Sequence, residues 1–83
     1  MTGKLAISKS GHDKDQLYVI VKEEKECVYL ADGALKTVAC PKKKNKKHIQ
    51  IIKQIPEEVA SLIHKEEFLD LEIKRAIKLF KKV

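Results

Sequence analysis

Residues 17–33, LYVIVKEEKECVYLADG, carry the reading on which the fold depends. Leu17–Val21 and Cys27–Ala31 are short runs rich in β-branched and aromatic residues, separated by a charged Lys22–Glu26 turn and closed by Asp32-Gly33. Such side chains suit a pleated, half-buried surface, so both runs read as strands. Asp-Gly is the strongest turn signal, because a type I′ hairpin needs positive φ at both central residues and this pair tolerates it. Working outward, Leu5–Ile7, Leu35–Ala39 and His48–Ile52 have the same character, and Ser10-Gly11 marks a loop after the first of them. The chain therefore predicts five strands, over 5–7, 17–21, 27–31, 35–39 and 48–52. Five strands within about fifty residues suggest a small, strongly bent sheet closed into a barrel, which also limits exposed edges.

After Ile55 the apolar period changes from two to about 3.6. Pro56 suits a first helical turn, and Glu57 and Glu58 follow where the helix dipole favours negative charge. Val59, Leu62 and Ile63 share a face that His64–Glu67 interrupts. Asp70, a good N-cap, opens a second segment whose Leu69, Ile73, Ala76, Ile77 and Phe80 renew the apolar face. Asp70 and Glu72 at its start and Lys78, Lys81 and Lys82 at its end match the macrodipole, and His64 reads as the C-terminal residue of the preceding helix. The expected class is mainly β with an α tail. A five-stranded barrel over 1–55 is followed by a helix-loop-helix appendage over 56–83 packed on it, with a single long helix as the alternative.

Eighty-three residues make one small domain with a modest core, since chains of this size bury only ~60% of their unfolded surface. The net charge of +6 is local. Residues 1–40 hold six Lys against six Asp plus Glu, and residues 49–83 hold seven basic against six acidic side chains. The other five charges lie in Pro41–His48, PKKKNKKH. So dense a block sets up a potential that dispersed lysines would not, and its natural counter-surface is a row of phosphates. A solvated, flexible loop is the competing reading of any such run.

Other classes find little support. No apolar run approaches the ~18–20 residues that cross a bilayer, and the start, MTGKLAISKSG, lacks the apolar segment of a secretory signal, so a cytoplasmic protein with no membrane partner is expected. Cys27 and Cys40 fit neither a redox nor a zinc spacing and read as small buried thiols. His12, His48 and His64 have no i, i+4 pairing and no Cys neighbours at ligand spacing, so no metal or other cofactor is expected. The hydroxyls, Thr2, Ser8, Ser10, Thr37 and Ser61, sit in no nucleophile setting, and Gly3, Gly11 and Gly33 are too dispersed for a phosphate loop. A small barrel also has little room for a substrate pocket of ~300 Å³, so neither an enzyme nor a small-molecule substrate is expected. Tyr18 and Tyr29, both within strands, read as core or wall. Scarce aromatics favour recognition of folded RNA by shape and backbone over stacking on unpaired bases.

Taken together, Ser8–Asp15 (SKSGHDKD), Tyr18–Val21 (YVIV), Val28–Gly33 (VYLADG) and Pro41–Ile49 (PKKKNKKHI) resemble the bacterial KOW-domain RNA-binding proteins. These are relatives of a large-subunit ribosomal protein of archaea and eukaryotes. The resemblance covers residues 4–52 closely and Ile73–Ile77 more loosely. It implies an SH3-like barrel in which the KOW loop, between the first two strands, and a lysine-rich loop contact structured RNA. Ribosomal RNA is then the expected partner, with ribosomal proteins as neighbours. Carried over by position, the KOW loop is Lys9–Gln16, with Gly11, His12, Asp13 and Lys14 on the pattern. Asp32-Gly33 falls on the family's turn, and Pro41, Lys42, Lys44, Asn45, Lys47 and His48 on its basic loop.

There are two departures. Asp15 stands at the motif's defining glycine, and Lys36 where arginine is common; Asp is among the residues that best tolerate the left-handed conformation such a glycine allows. The expected RNA contacts are Lys9, His12, Lys14, Lys42, Lys43, Lys44, Asn45, Lys46, Lys47 and His48. His12 could donate to a phosphate or be a plain loop histidine, and His48 could instead open the last strand. The rival function is a protein-interaction adaptor of the translation or transcription machinery, using the barrel and the amphipathic tail.

Overall fold

The computed structural model describes residues 1–82. Its strands are β1 (Leu5–Ser8), β2 (Leu17–Glu23), β3 (Cys27–Ala31), β4 (Lys42–Asn45) and β5 (Ile49–Ile51), with a 3₁₀ turn at Lys46–His48. Helices α1 (Glu57–Ile63) and α2 (Asp70–Lys82) follow, so the tail is two helices. The strands form one antiparallel sheet in the order β4-β3-β2-β1-β5. β4 and β5 are its edges. They do not pair with each other, so the sheet is not hydrogen-bonded into the expected closed barrel.

Both faces of the sheet are buried, which is why Leu17–Val21 is apolar throughout instead of alternating. Leu5, Val19 and Ala31 pack with Val59, Ile63, Ile73, Ala76 and Ile77 of the two helices. Ala6, Tyr18, Ile20, Val28 and Leu30 form a second cluster on the opposite face, flanked by Ile49 and Ile51. No helix covers that second face. It is enclosed because the sheet coils: β4 lies three strands from β1, about 14 Å in a flat sheet, yet Lys44 Nζ is 2.7 Å from Ser8 Oγ. A register shift between Ile20 and Lys22 marks a bulge in β2, and bulges sharpen bend and twist. No helix among the described residues is long and apolar enough to cross a membrane.

The predicted fourth strand at 35–39 is not a strand; the lysine run itself is. Lys has low strand propensity, but β3 would otherwise offer unpaired backbone groups along its length, and an edge strand tolerates lysine well. Residues 32–41 instead form a long connection held by side chains. Asp32 Oδ1 accepts from the Ala34 and Lys36 N–H groups, both at 2.9 Å. Only Gly33 of the Asp-Gly pair has positive φ, +80°, so the type I′ hairpin does not form. Asp70 Oδ1 accepts from Val38 N–H at 2.8 Å, so it fastens this connection to α2 and does not cap its own helix. Leu69, expected on the buried stripe, is 58% exposed. The cysteines also differ from expectation: Cys40 is exposed, and Cys27 is half-buried with its thiol 3.2 Å from Glu24 Oε1.

Gly33 is where connection and helix touch. A Cβ there would stand 2.2 Å from Asp70 O and 2.9 Å from Lys74 N, both backbone atoms of α2. Gly33→Ala is therefore expected to lower stability by more than the ~1–2 kcal/mol of left-handed strain alone, because α2 must also move. A thermal melt within 2 °C of wild type, on the order of a few tenths of a kcal/mol, would contradict this close approach.

Candidate nucleic-acid interface

The register of β4 divides the lysine run. Lys44 lies opposite Val28 and Lys42 opposite Leu30, and directly paired residues project from the same face. Lys42 and Lys44 therefore point with Val28 and Leu30 to the enclosed face. Lys43, opposite Tyr29, and Asn45, opposite Cys27, point outward. What reads as a uniform charge block is two rows with different surroundings.

The inward row ends on Asp13 of the 9–16 loop. Lys44 Nζ donates to Asp13 Oδ1, Ser8 Oγ and Ser10 O, each at 2.7 Å. Lys42 Nζ stands 2.8 Å from Asp13 Oδ2, and Ser8 Oγ donates to Oδ1 at 2.8 Å. The side chains of Lys44 and Asp13 are both only 10% exposed. Burial pushes the Asp13 carboxyl upward, but contacts with Lys42, Lys44 and Ser8 outweigh it and hold the group well below the usual carboxylate range. Tyr18, buried beneath, is pushed up to about 12 by burial first and then by the Asp13 charge. Segments 31 positions apart are thus locked together by one carboxylate.

Around that lock the 9–16 loop closes on itself. Asp15 N–H donates to Ser8 O at 2.8 Å and Gln16 N–H to Asp13 O at 3.0 Å. Asp15 takes φ +71°, in the left-handed region that aspartate is among the residues best able to adopt. Lys9, His12 and Lys14 are exposed, and Lys9 Nζ donates to Gln50 Oε1 at 3.0 Å.

At the far end of the run, Lys46 Nζ is 2.6 Å from Glu23 Oε2, and the N-terminal amino group is 2.9 Å from Oε1. Lys46 first, and then that amino group, bring the Glu23 carboxyl down to about 2. Asn45 caps the 3₁₀ turn, its Oδ1 accepting from Lys47 N–H at 3.0 Å. His48 belongs to this turn and does not open β5; its carbonyl accepts from Lys9 N–H at 2.8 Å while its residue stays exposed.

Of the ten expected contact residues, then, Lys42, Lys44 and Lys46 are ion-paired and Asn45 is a cap. Lys9, His12, Lys14, Lys43, Lys47 and His48 are exposed and outside any ion pair among the described residues. Sequence reading missed the Ser8–Asp13–Lys42–Lys44 cluster. Its one signal was the i, i+2 spacing of the two lysines, which counts only once the run is known to be a strand. Comparison with known proteins finds no family model that matches the chain and no curated protein similar to it.

Proposed function

We propose that this is a cytoplasmic, ribosome-associated protein that binds structured RNA, ribosomal RNA above all, through the phosphate backbone. The observation that carries the reading is the lock at Asp13. It joins the two segments that the sequence resemblance assigns to RNA and leaves Lys9, His12, Lys14, Lys43, Lys47 and His48 in solvent. The sheet is read as an SH3-like barrel of the KOW type, supported by its coiling and its two buried faces. Within it the lysines divide their work. Lys42, Lys44 and Lys46 build the surface, and Lys9, Lys14, Lys43 and Lys47 meet phosphates that fix position and orientation.

Salt titration tests this. These four lysines, each displacing a counterion, contribute about −3 to the slope of log affinity against log salt, at ~0.7–0.9 per contact. Lys43→Gln with Lys47→Gln should make the slope shallower by about 1.5 and leave the melting temperature unchanged. A slope near zero for the tightest RNA would reject backbone binding. One observation favours the adaptor as a second reading: Leu35, Leu69 and Leu71 are 89%, 58% and 77% exposed. Sedimentation with ribosomes that survives nuclease treatment would favour it.

A further inference from the structure

Helix α2 buries Ile73, Ala76 and Ile77 against the sheet and turns a different set of residues to solvent. From Ile73 to Lys82 its sequence, IKRAIKLFKK, has five basic residues and no acidic one. Lys74, Arg75, Lys78 and Lys81 are all exposed, and none has a carboxylate partner among the described residues. The helix's own acids are engaged elsewhere, Asp70 by Val38 N–H and Glu72 by Lys65. Complementing the helix dipole accounts for Lys81 and Lys82. It does not account for Lys74 and Arg75, because the dipole acts within the last turn.

These cations form a row. Leu71, Lys74, Arg75 and Lys78 line one shallow surface depression, as their i, i+3, i+4, i+7 spacing requires. Lys74 and Lys78 stand about 6 Å apart along the axis and Lys81 about 4.5 Å further. Beside the row runs a groove of about 260 Å³. Lys74, Lys78 and Lys81 of α2 line it together with Gln16 and Leu17, at the junction of the 9–16 loop and β2. Asp32 also lines the groove, but its Oδ1 already accepts two backbone N–H groups. The α2 row therefore adjoins the loop proposed to meet RNA. Among the described residues it holds more unpaired cations than the Pro41–His48 run, where only Lys43 and Lys47 lack an ion pair.

We infer that the outer face of α2 is a second contact for the RNA phosphate backbone, with the strand crossing the groove from the 9–16 loop to Lys74, Arg75, Lys78 and Lys81. This rests on the RNA-binding reading above and extends it to residues outside the sheet. A row of unpaired cations on a rigid helix, one turn apart, complements a polyanion with regularly spaced charges; an acidic protein surface would have to match that spacing by chance.

The test compares three full-length proteins on a stem-loop RNA over a range of salt: wild type, Lys74→Gln/Arg75→Gln/Lys78→Gln/Lys81→Gln, and Lys9→Gln/Lys14→Gln/Lys43→Gln/Lys47→Gln. All substituted positions are exposed, and Gln matches Lys and Arg in helix propensity, so melting temperatures should stay close to wild type. The wild-type slope should be about −6, and each variant should bring it to about −3. A wild-type slope of about −3 that the α2 variant leaves unchanged would overturn the inference while sparing RNA binding. No RNA binding by wild type would overturn both. Binding to phosphatidylserine vesicles that the α2 variant loses, with RNA affinity intact, would assign the row to a membrane surface and likewise overturn it.

Discussion

A chain ending at Ile55 is expected not to fold, although it retains all five strands and the whole lysine run. Val59, Ile63, Ile73, Ala76 and Ile77 supply five of the eight buried residues in the cluster between sheet and helices. Burying each of the four larger side chains is worth ~1.5–3 kcal/mol, or roughly 6–12 kcal/mol in sum. A domain of this length has a total stability of only about 4–12 kcal/mol. Removal of the helices would also expose Leu5 and Val19, which are fully buried. The amide NMR spectrum of residues 1–55 should therefore lack dispersion, and the RNA affinity of the fragment should be that of an unfolded basic peptide. A well-dispersed spectrum would show that the second cluster, around Tyr18, Ile20, Val28 and Leu30, suffices as a core.

Asp13→Ala should be the most damaging single substitution in the basic region, more so than loss of any exposed lysine. It leaves the Lys44 ammonium, on a side chain only 10% exposed, without its anion. Breaking a buried pair from one side costs about 3–5 kcal/mol, so the melting temperature should fall by at least ~12 °C. Lys42→Gln should cost less, since Lys42 is 32% exposed and Lys44 still holds the carboxylate. A common Gln replacement of all five lysines would accordingly damage the fold and confuse loss of structure with loss of binding.

The pH dependence follows from the same geometry. Asp13 and Glu23 both have carboxyl pKa values lowered in the folded state. Their stabilising contribution is complete above the unfolded values near pH 4 and is lost as pH falls toward the folded ones. Wild-type stability should therefore decline from about pH 5 downward, and Asp13→Ala should flatten that decline. Equal acid sensitivity of the two proteins would remove Asp13 from the account.

Four of the five strands lie where branched and aromatic runs placed them, because local composition and hydrophobic burial agree over 5–8, 17–23, 27–31 and 49–51. The two helices, the break at His64–Glu67 and the buried stripe of Ile73, Ala76 and Ile77 were equally legible in the change of period. These features depend on neighbours in the chain. The left-handed position of Asp15 was open to expectation only through the family resemblance, which puts a glycine there. What only the tertiary structure decided is the fate of the charges. Lys42–Asn45 is a strand because β3 needs a partner along its edge, a demand that residues 42–45 do not themselves express. Once it is a strand, a period of two turns Lys42 and Lys44 inward to Asp13 and leaves Lys43 outside, while Lys46 is taken by Glu23. Summed over the sequence, the net charge places the cationic site in Pro41–His48. Ion pairing across 23 and 31 positions engages three of its five lysines, leaving Lys43 and Lys47 there and a larger set of unpaired cations on α2, because Coulomb attraction acts through space and takes no account of order along the chain.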